Sequence, residues 1–315
     1  MGKGIATEMR VTHVNLARGW RGGERQTLLL MQGLRDFGVE SILVARAGEE
    51  LARRAAESRI EVREIAKPFL LRGGKLAGSD VVHCHETRAL QLAALWAGRN
   101  GAPLVVTRRV DFRPSASAFT RWKYKRADRI VAISEFVRDV MVDWGANPNS
   151  VSVVHSAIDS MDRSDVDTVA RLRDRFHERK VIGCVAALVD HKDFPTLLRV
   201  AKRLQTARPD AVILVVGEGD LGTAIRAEAK SLGLNNIEFE GYQTDPYSYF
   251  RVFDVFMLTS KEEGLGTSVL DAFSYGVPVV ATSAGGIREI STGCETGVLC
   301  ASGGDAALAG GVVAL

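Results

Sequence analysis

No apolar run in this chain approaches the length that crosses a bilayer, and its first residues, MGKGIATEM, lack the apolar core of a secretory signal. Both absences point to a cytoplasmic protein. Cysteine is scarce as well: Cys84, Cys184, Cys294 and Cys300 show neither a CxxC pair nor zinc-type spacing. That argues against a disulfide framework and leaves reduced thiols packed in or near the core. Net charge is small, at +3, so no nucleic-acid partner is expected. Basic residues gather only locally, in RWKYKRADR at 121–129. The first reading of that cluster is a solvated face; acidic lipid headgroups or a nucleotide are the partners it would otherwise suit. No two carboxylates stand out as nucleophile and acid, which makes hydrolysis a poor fit.

What is present is an ordinary globular composition, 46% hydrophobic and 25% charged, in a chain of 315 residues that is long enough for two domains. Strand and helix patterns alternate twice. The first series begins at Met9 to Leu16 and continues through strands at 39–45, 60–65, 80–85, 103–107, 127–134 and 151–155, ending near residue 160. It predicts a doubly wound unit. The second series restarts after a charged helix, Asp165 to His177, with a strand from Lys180 to Ala187. The fold class expected is therefore α/β, with two tandem Rossmann-like doubly wound domains over 9–160 and 161–315, facing across a cleft that holds the ligands.

The richest stretch runs from Leu258 to Glu289, LTSKEEGLGTSVLDAFSYGVPVVATSAGGIRE. It reads as strand, loop, helix, strand, with its loop where α/β sheets bind ligands. Gly264 and Gly266 allow close backbone approach and leave amides free to donate, and the helix that follows adds its positive end. An anion suits that loop. Glu263 stands at its mouth and Asp271 near two helical turns further on, so both carboxylates are placed to face one cleft. Because carboxylates repel an anion, hydroxyls of a sugar or ribose are their natural partners.

Elsewhere the chain offers weaker signals. Gly22 and Gly23 fall in the first strand-to-helix turn, where a phosphate approach and a plain tight turn are equally open. The strand DVVHCH ends in His83 and His85 on one face; with no third or fourth ligand evident, a zinc site is not expected. Lys192, in the loop LVDHKDFPT, is a point charge suited to phosphate, though a lone lysine is more often solvated. Gly217, Gly219 and Gly222 spell G-x-G-x-x-G between a strand and a helix, with Glu238 and Glu240 roughly where a ribose-binding acid would sit. This is the rival reading, a dinucleotide site, but it follows the second strand of its domain rather than the first.

The 258–289 stretch resembles the E-x7-E region of the GT-B glycosyltransferases of family 4, EGxGxxxxEAxxxGxPVVA followed by GGxxE. The matches are Glu263, Gly264, Gly266, Ala272, Gly276, Pro278 to Ala281, Gly285, Gly286 and Glu289, with Asp271 in place of the second Glu. The resemblance extends over nearly the whole chain. Gly22, Gly23 and Glu24 match the family's GGxE loop, VVGEGD its VVGxGP, and SAID, which keeps Asp159, its NGVD. Two positions depart from the pattern: Arg109 stands where the family has a histidine beside the transferred sugar, and Ala187 where it has the arginine that pairs with the lysine.

The family implies transfer of a hexose from a nucleoside diphosphate sugar to a glycan or lipid-linked acceptor, with retention. No cofactor and no bound metal are expected. It assigns Glu263 and Lys192 to the reaction and His85 to the acceptor side; Arg109, in the place of the family's histidine, is expected to join the reaction and Arg108 the acceptor side, with surface salt bridging as the alternative for both. Donor contacts fall to Gly22, Gly23, Gly217, Tyr242, Gly264, Leu265, Gly266, Thr267 and Asp271. Arg108, Arg109 and His191 are the cations near enough in pattern to replace the missing arginine. A peripheral site at the inner face of the membrane agrees with the basic cluster. After the C-terminal segment TGVLCASGGDAALAGGVVAL the further helices usual in the family are not expected. Two other classes remain, an NAD(P)-dependent oxidoreductase using Gly217 to Gly222 and a non-catalytic nucleotide-sugar-binding module.

Overall fold

A computed structural model of the chain describes residues 9–158, 162–291 and 297–315. Asp159 and Cys294 lie outside these residues. The chain divides into two compact units, Met1–Ala157 and Ile158–Leu315.

The first unit carries seven parallel strands: β1 (Arg10–Asn15), β2 (Glu40–Arg46), β3 (Glu61–Ile65), β4 (Val81–Cys84), β5 (Leu104–Arg108), β6 (Arg129–Ala132) and β7 (Val151–Val153). Their order across the sheet is β3-β2-β1-β4-β5-β6-β7. The last of them, β7, forms inside the 151–155 run expected to be a strand. Order reverses between β1 and β4, and the loops leaving those two strands part to opposite sides, which opens the crevice where doubly wound sheets take ligands.

The second unit repeats the pattern with six strands: β8 (Lys180–Val185), β9 (Ala211–Val216), β10 (Ile237–Gly241), β11 (Val255–Leu258), β12 (Val279–Thr282) and β13 (Gly297–Cys300). The order is β10-β9-β8-β11-β12-β13, so the reversal falls between β8 and β11. Helices cover both faces, and β9 shows why its sequence, AVILVV, is apolar without alternation. Ile213 and Val215 join one buried cluster while Val212, Leu214 and Val216 join another on the opposite face. Each such side chain contributes about 1.5–3 kcal/mol on burial.

β1 departs from this rule. It is central and buried, yet Thr12, His13 and Asn15 are all within it and almost wholly inaccessible. Polar groups in a central parallel strand cost stability unless each finds a partner. The partners define the site below. Cys84, Cys184 and Cys300 are buried free thiols, and burial pushes Cys184 up to about 12.

Candidate functional site

In the second unit the loops leaving β8 and β11 are stitched together at the point where strand order reverses. The Thr259 hydroxyl donates to the carbonyls of Lys192 (3.0 Å) and Asp193 (3.2 Å), and the Lys261 amide donates to the His191 carbonyl (2.8 Å). Asp193 holds the bend with a left-handed backbone (φ 50°), which aspartate tolerates, and its carboxylate accepts from the Thr196 hydroxyl at 2.5 Å. The result is a direct ion pair between the Lys192 ammonium and the Glu263 carboxylate, two residues 71 positions apart, with only 14% and 15% of their side chains exposed. Ser260 donates a second hydrogen bond to the same carboxylate oxygen, at 3.2 Å. Ala187 lies in this loop too, and the exposed His191 sits next to Lys192 in a short turn, Asp190–Lys192.

The glycine-bearing loop is pressed against the GGIRE turn. A Cβ on Gly286 would lie 2.3 Å from the Gly264 carbonyl oxygen and 2.9 Å from the Leu265 Cα, and the Gly286 amide donates to the Glu263 carbonyl at 3.0 Å. Gly286 thus fixes the backbone from Glu263 to Leu265, and Leu265 itself is buried. Gly266, at φ 87°, precedes the helix Thr267–Ser274, whose first amides are at Thr267 and beyond. Asp271 lies in that helix and is buried. Tyr242 follows β10, the edge strand, and is 54% exposed; Gln243 next to it donates back to the Glu240 carbonyl.

The dinucleotide motif has a different use. Gly217 (φ 143°) has no room for a Cβ, which would meet the Ala186 carbonyl oxygen at 2.0 Å; at Gly219 the obstacle is the Leu188 carbonyl, at 2.5 Å. These glycines let the loop after β9 pack on the loop after β8. Glu238 and Glu240 are both paired with Arg175, and Tyr249 donates to Glu240 at 2.9 Å. Neither acid is held for a ribose, and the oxidoreductase reading is not favoured.

The first unit has its own constellation at the β1/β4 reversal. The helix opens earlier than expected, as Gly22–Arg35, so Gly22 and Gly23 form its first turn instead of a preceding loop. The Glu24 carboxylate reaches back to the Arg21 amide at 3.1 Å. Burial raises the Glu24 carboxyl above the usual range, opposed by hydrogen bonds and by the Arg109 charge. Asn15 donates to the Thr27 hydroxyl at 3.1 Å, which donates to the Gly23 carbonyl at 2.9 Å. The glycine turn is therefore anchored to β1.

Behind it stand three histidines. Register pairs His13 of β1 with His83 of β4, and His85 lies two residues on, on the same face. The Arg109 Nη1 donates to His85 Nδ1 at 3.1 Å, and His85 Nε2 lies 2.9 Å from His13 Nδ1. His83 Nε2 meets the Thr107 hydroxyl at 2.7 Å. Burial and the Arg109 charge drive His13 down to about 3 and hold His83 and His85 well below their ordinary value. All three rings are neutral at physiological pH. Burial also brings Arg109 down to about 10, with Glu24 acting in the other direction.

Several expectations change here. His85 is buried and bonded on both ring nitrogens, so it does not face a cleft. Arg108 is buried as well, donating to the Phe112 carbonyl with its guanidinium 5.0 Å from the Phe112 ring, which makes it a support for its own loop and not an acceptor contact. A third nitrogen ligand does exist: His13, His83 and His85 bring ring nitrogens within 4.8 Å of one another. A metal bound through His85 Nε2 would require a proton on Nδ1, placing two donors face to face 3.1 Å apart at Arg109. The hydrogen bonds present oppose that use. His13, Asn15, Asp193 and Ser260 were not singled out from the sequence; a polar residue inside an otherwise apolar strand was the signal for the first two.

Two doubly wound units with groups gathered at each reversal define a class, and comparison with known proteins supplies the family. Residues 169–315 match the family described as Glycosyl transferases group 1, and residues 20–161 match Glycosyltransferase Family 4. The chain belongs to the GT-B glycosyltransferases of family 4. It is 26% identical over 300 residues to the lipopolysaccharide core biosynthesis glycosyltransferase LpsE of Rhizobium meliloti, covering 92% of this chain and 84% of that one. Against the 2-deoxystreptamine glucosyltransferase of Streptomyces kanamyceticus it is 29% identical over 62% of this chain, which spans about half (53%) of that protein. Among solved structures, Anabaena HepE in complex with UDP and glucose superposes with TM-score 0.85 at 19% identity, over 96% of this chain and 88% of that one. That likeness concerns the fold.

Proposed function

We propose that this glycosyltransferase moves a hexose from a UDP- or GDP-linked donor to a glycan or lipid-linked acceptor, with retention and without a bound metal. The observation that carries the proposal is the Lys192 and Glu263 pair at the β8/β11 reversal. In this reading the pair is a latent donor site. A diphosphate takes the Lys192 ammonium, a compact cation suited to phosphate oxygens, and frees the Glu263 carboxylate to accept from sugar hydroxyls. The anomeric bond to the diphosphate breaks with the leaving oxygen keeping the electron pair, the acceptor hydroxyl oxygen bonds to the anomeric carbon and gives its proton to the departing phosphate, and Lys192 with the amides from Gly264 to Thr267 stabilises the charge that develops there. That arrangement supplies by fixed charge what a metal supplies elsewhere. Asp271 takes the ribose and Tyr242 the base. HepE with bound UDP supports beginning with uridine donors.

Peripheral membrane contact is part of the proposal. The helix Ala118–Lys125 exposes Phe119 and Trp122, stacked at 5.6 Å, among the exposed Arg121, Lys125 and Arg126. Aromatic rings flanked by basic residues suit an acidic lipid surface.

Thermal unfolding and donor hydrolysis, measured with UDP- and GDP-sugars in EDTA, test the function. Wild type is stabilised by one such donor and Glu263→Ala is not. Stabilisation by NADH alone, or a strict requirement for added divalent metal, would overturn it.

A further inference from the structure

We infer that Arg109 recognises an anionic group, phosphate or carboxylate, carried by the acceptor, and that His85 and His13 form the hydrogen-bonded chain that orients it. The inference rests on the transferase reading and on the first unit taking the acceptor. Arg109 is the first residue past β5, beside the β1/β4 reversal. A guanidinium has five N–H donors and accepts nothing. Among the described residues His85 is the only hydrogen-bond partner of Arg109, and its Nε is buried with no partner at all. A cation removed from water for structural reasons is ordinarily paired with a carboxylate, since leaving it unpaired is costly. Here the sole acceptor is a neutral ring, and the nearby Glu24 acts on Arg109 through charge. Among the described residues the remaining N–H groups have no protein acceptor.

The direction of the chain follows from the same chemistry. Arg109 can only donate, so His85 Nδ1 accepts and its proton is on Nε2. That proton is donated to His13 Nδ1, leaving His13 protonated on Nε2, toward the Ser41 hydroxyl at 3.5 Å. Every tautomer is set by Arg109, and two rings in turn hold the guanidinium in one orientation. Gly23 borders it on the other side, where a Cβ would make only ordinary contact with the Arg109 Cδ, at 3.8 Å. A fixed planar cation with free donors at a ligand crevice suits bidentate recognition of a phosphate or carboxylate.

The test uses the full chain with ¹⁵N-labelled histidine and reads the His85 ring nitrogens by NMR while inorganic phosphate, acetate or UDP is added. The spectrum of the free protein shows His85 as the Nε2–H tautomer. Phosphate, acetate or both shift the His85 Nδ1 signal saturably, at concentrations on the order of 10 mM. Which of the two acts names the acceptor group. Arg109→Gln weakens the response about tenfold or more, as loss of one charge-assisted contact requires, while Arg109→Lys retains part of it. His85→Phe weakens phosphate binding, followed by thermal shift, and His85→Asn, which keeps an acceptor oxygen, restores it. An Nδ1–H tautomer, no saturable shift, or an undiminished response in Arg109→Gln overturns the inference. If UDP alone gives the Arg109-dependent shift, the anion recognised is the donor's and the acceptor assignment fails. Glu263→Ala reports on the transferase reading separately, because donor stabilisation is lost there whatever Arg109 binds.

Discussion

Replacing Glu263 with alanine leaves the Lys192 ammonium without its partner in a setting where only about 15% of either side chain meets water. Breaking a fully buried pair costs about 3–5 kcal/mol and an exposed one less than about 1 kcal/mol, so this partly shielded pair falls near 2 kcal/mol. Ser260 loses its acceptor at the same time. In a unit of this size about 2 kcal/mol corresponds to a fall of roughly 4–8 °C in Tm. Differential scanning calorimetry on wild type, Glu263→Ala, Lys192→Met and the double variant measures it. The double variant should fall short of the sum of the singles by about 1–2 kcal/mol, since the second substitution removes a charge that the first left stranded. Strict additivity, or a Glu263→Ala protein melting with wild type, refutes the pair as a linked unit. A coupled pair whose loss leaves donor binding intact would make it structural only.

Gly286→Ala forces a methyl to within 2.3 Å of the Gly264 carbonyl; a loss of about 1–3 kcal/mol is expected, with donor-dependent activity falling more than Tm indicates, and full activity contradicts the packing described. Gly217→Ala meets both a positive φ and the Ala186 carbonyl at 2.0 Å, so its Tm should fall without any change in NADH response, which is absent throughout; a thermal-shift series with and without NADH checks both. His13, His83 and His85 have folded values depressed below their unfolded one, so the unfolded chain takes up protons first as pH falls. The stability present above about pH 6.5 is then lost on acidification, for His13 by about 2 kcal/mol at pH 5 and onward toward pH 3, with His83 and His85 acting in the same direction and the raised carboxyls of Glu24 and Glu86 partly offsetting them. Urea unfolding at pH 7.5, 6 and 5 should show that decline and His13→Asn should flatten it; a level profile counts against neutral buried rings.

The doubly wound class and the strand positions were legible because uninterrupted apolar runs such as AVILVV mark parallel strands. Glu263 and Lys192 could each be picked out, but their pairing could not, since it depends on β8 lying next to β11, a fact of sheet order. Burial of His85 and Arg108 was equally hidden: strand-end residues look alike in sequence whether they face a crevice or a neighbouring ring. Gly217 and Gly219 misled in the other direction, because a missing Cβ serves a neighbouring carbonyl as well as a phosphate.

The 70 residues between Lys192 and Glu263, which stand 71 positions apart, include all of β9, β10 and β11 and the helices between them. A nascent chain that has not yet placed β11 beside β8 therefore owns both charged groups but no site. On the proposed function, donor capture becomes available only after this long crossover closes, so a ligand-dependent signal during synthesis would report closure of the β8/β11 reversal and not the early helices of the C-terminal unit.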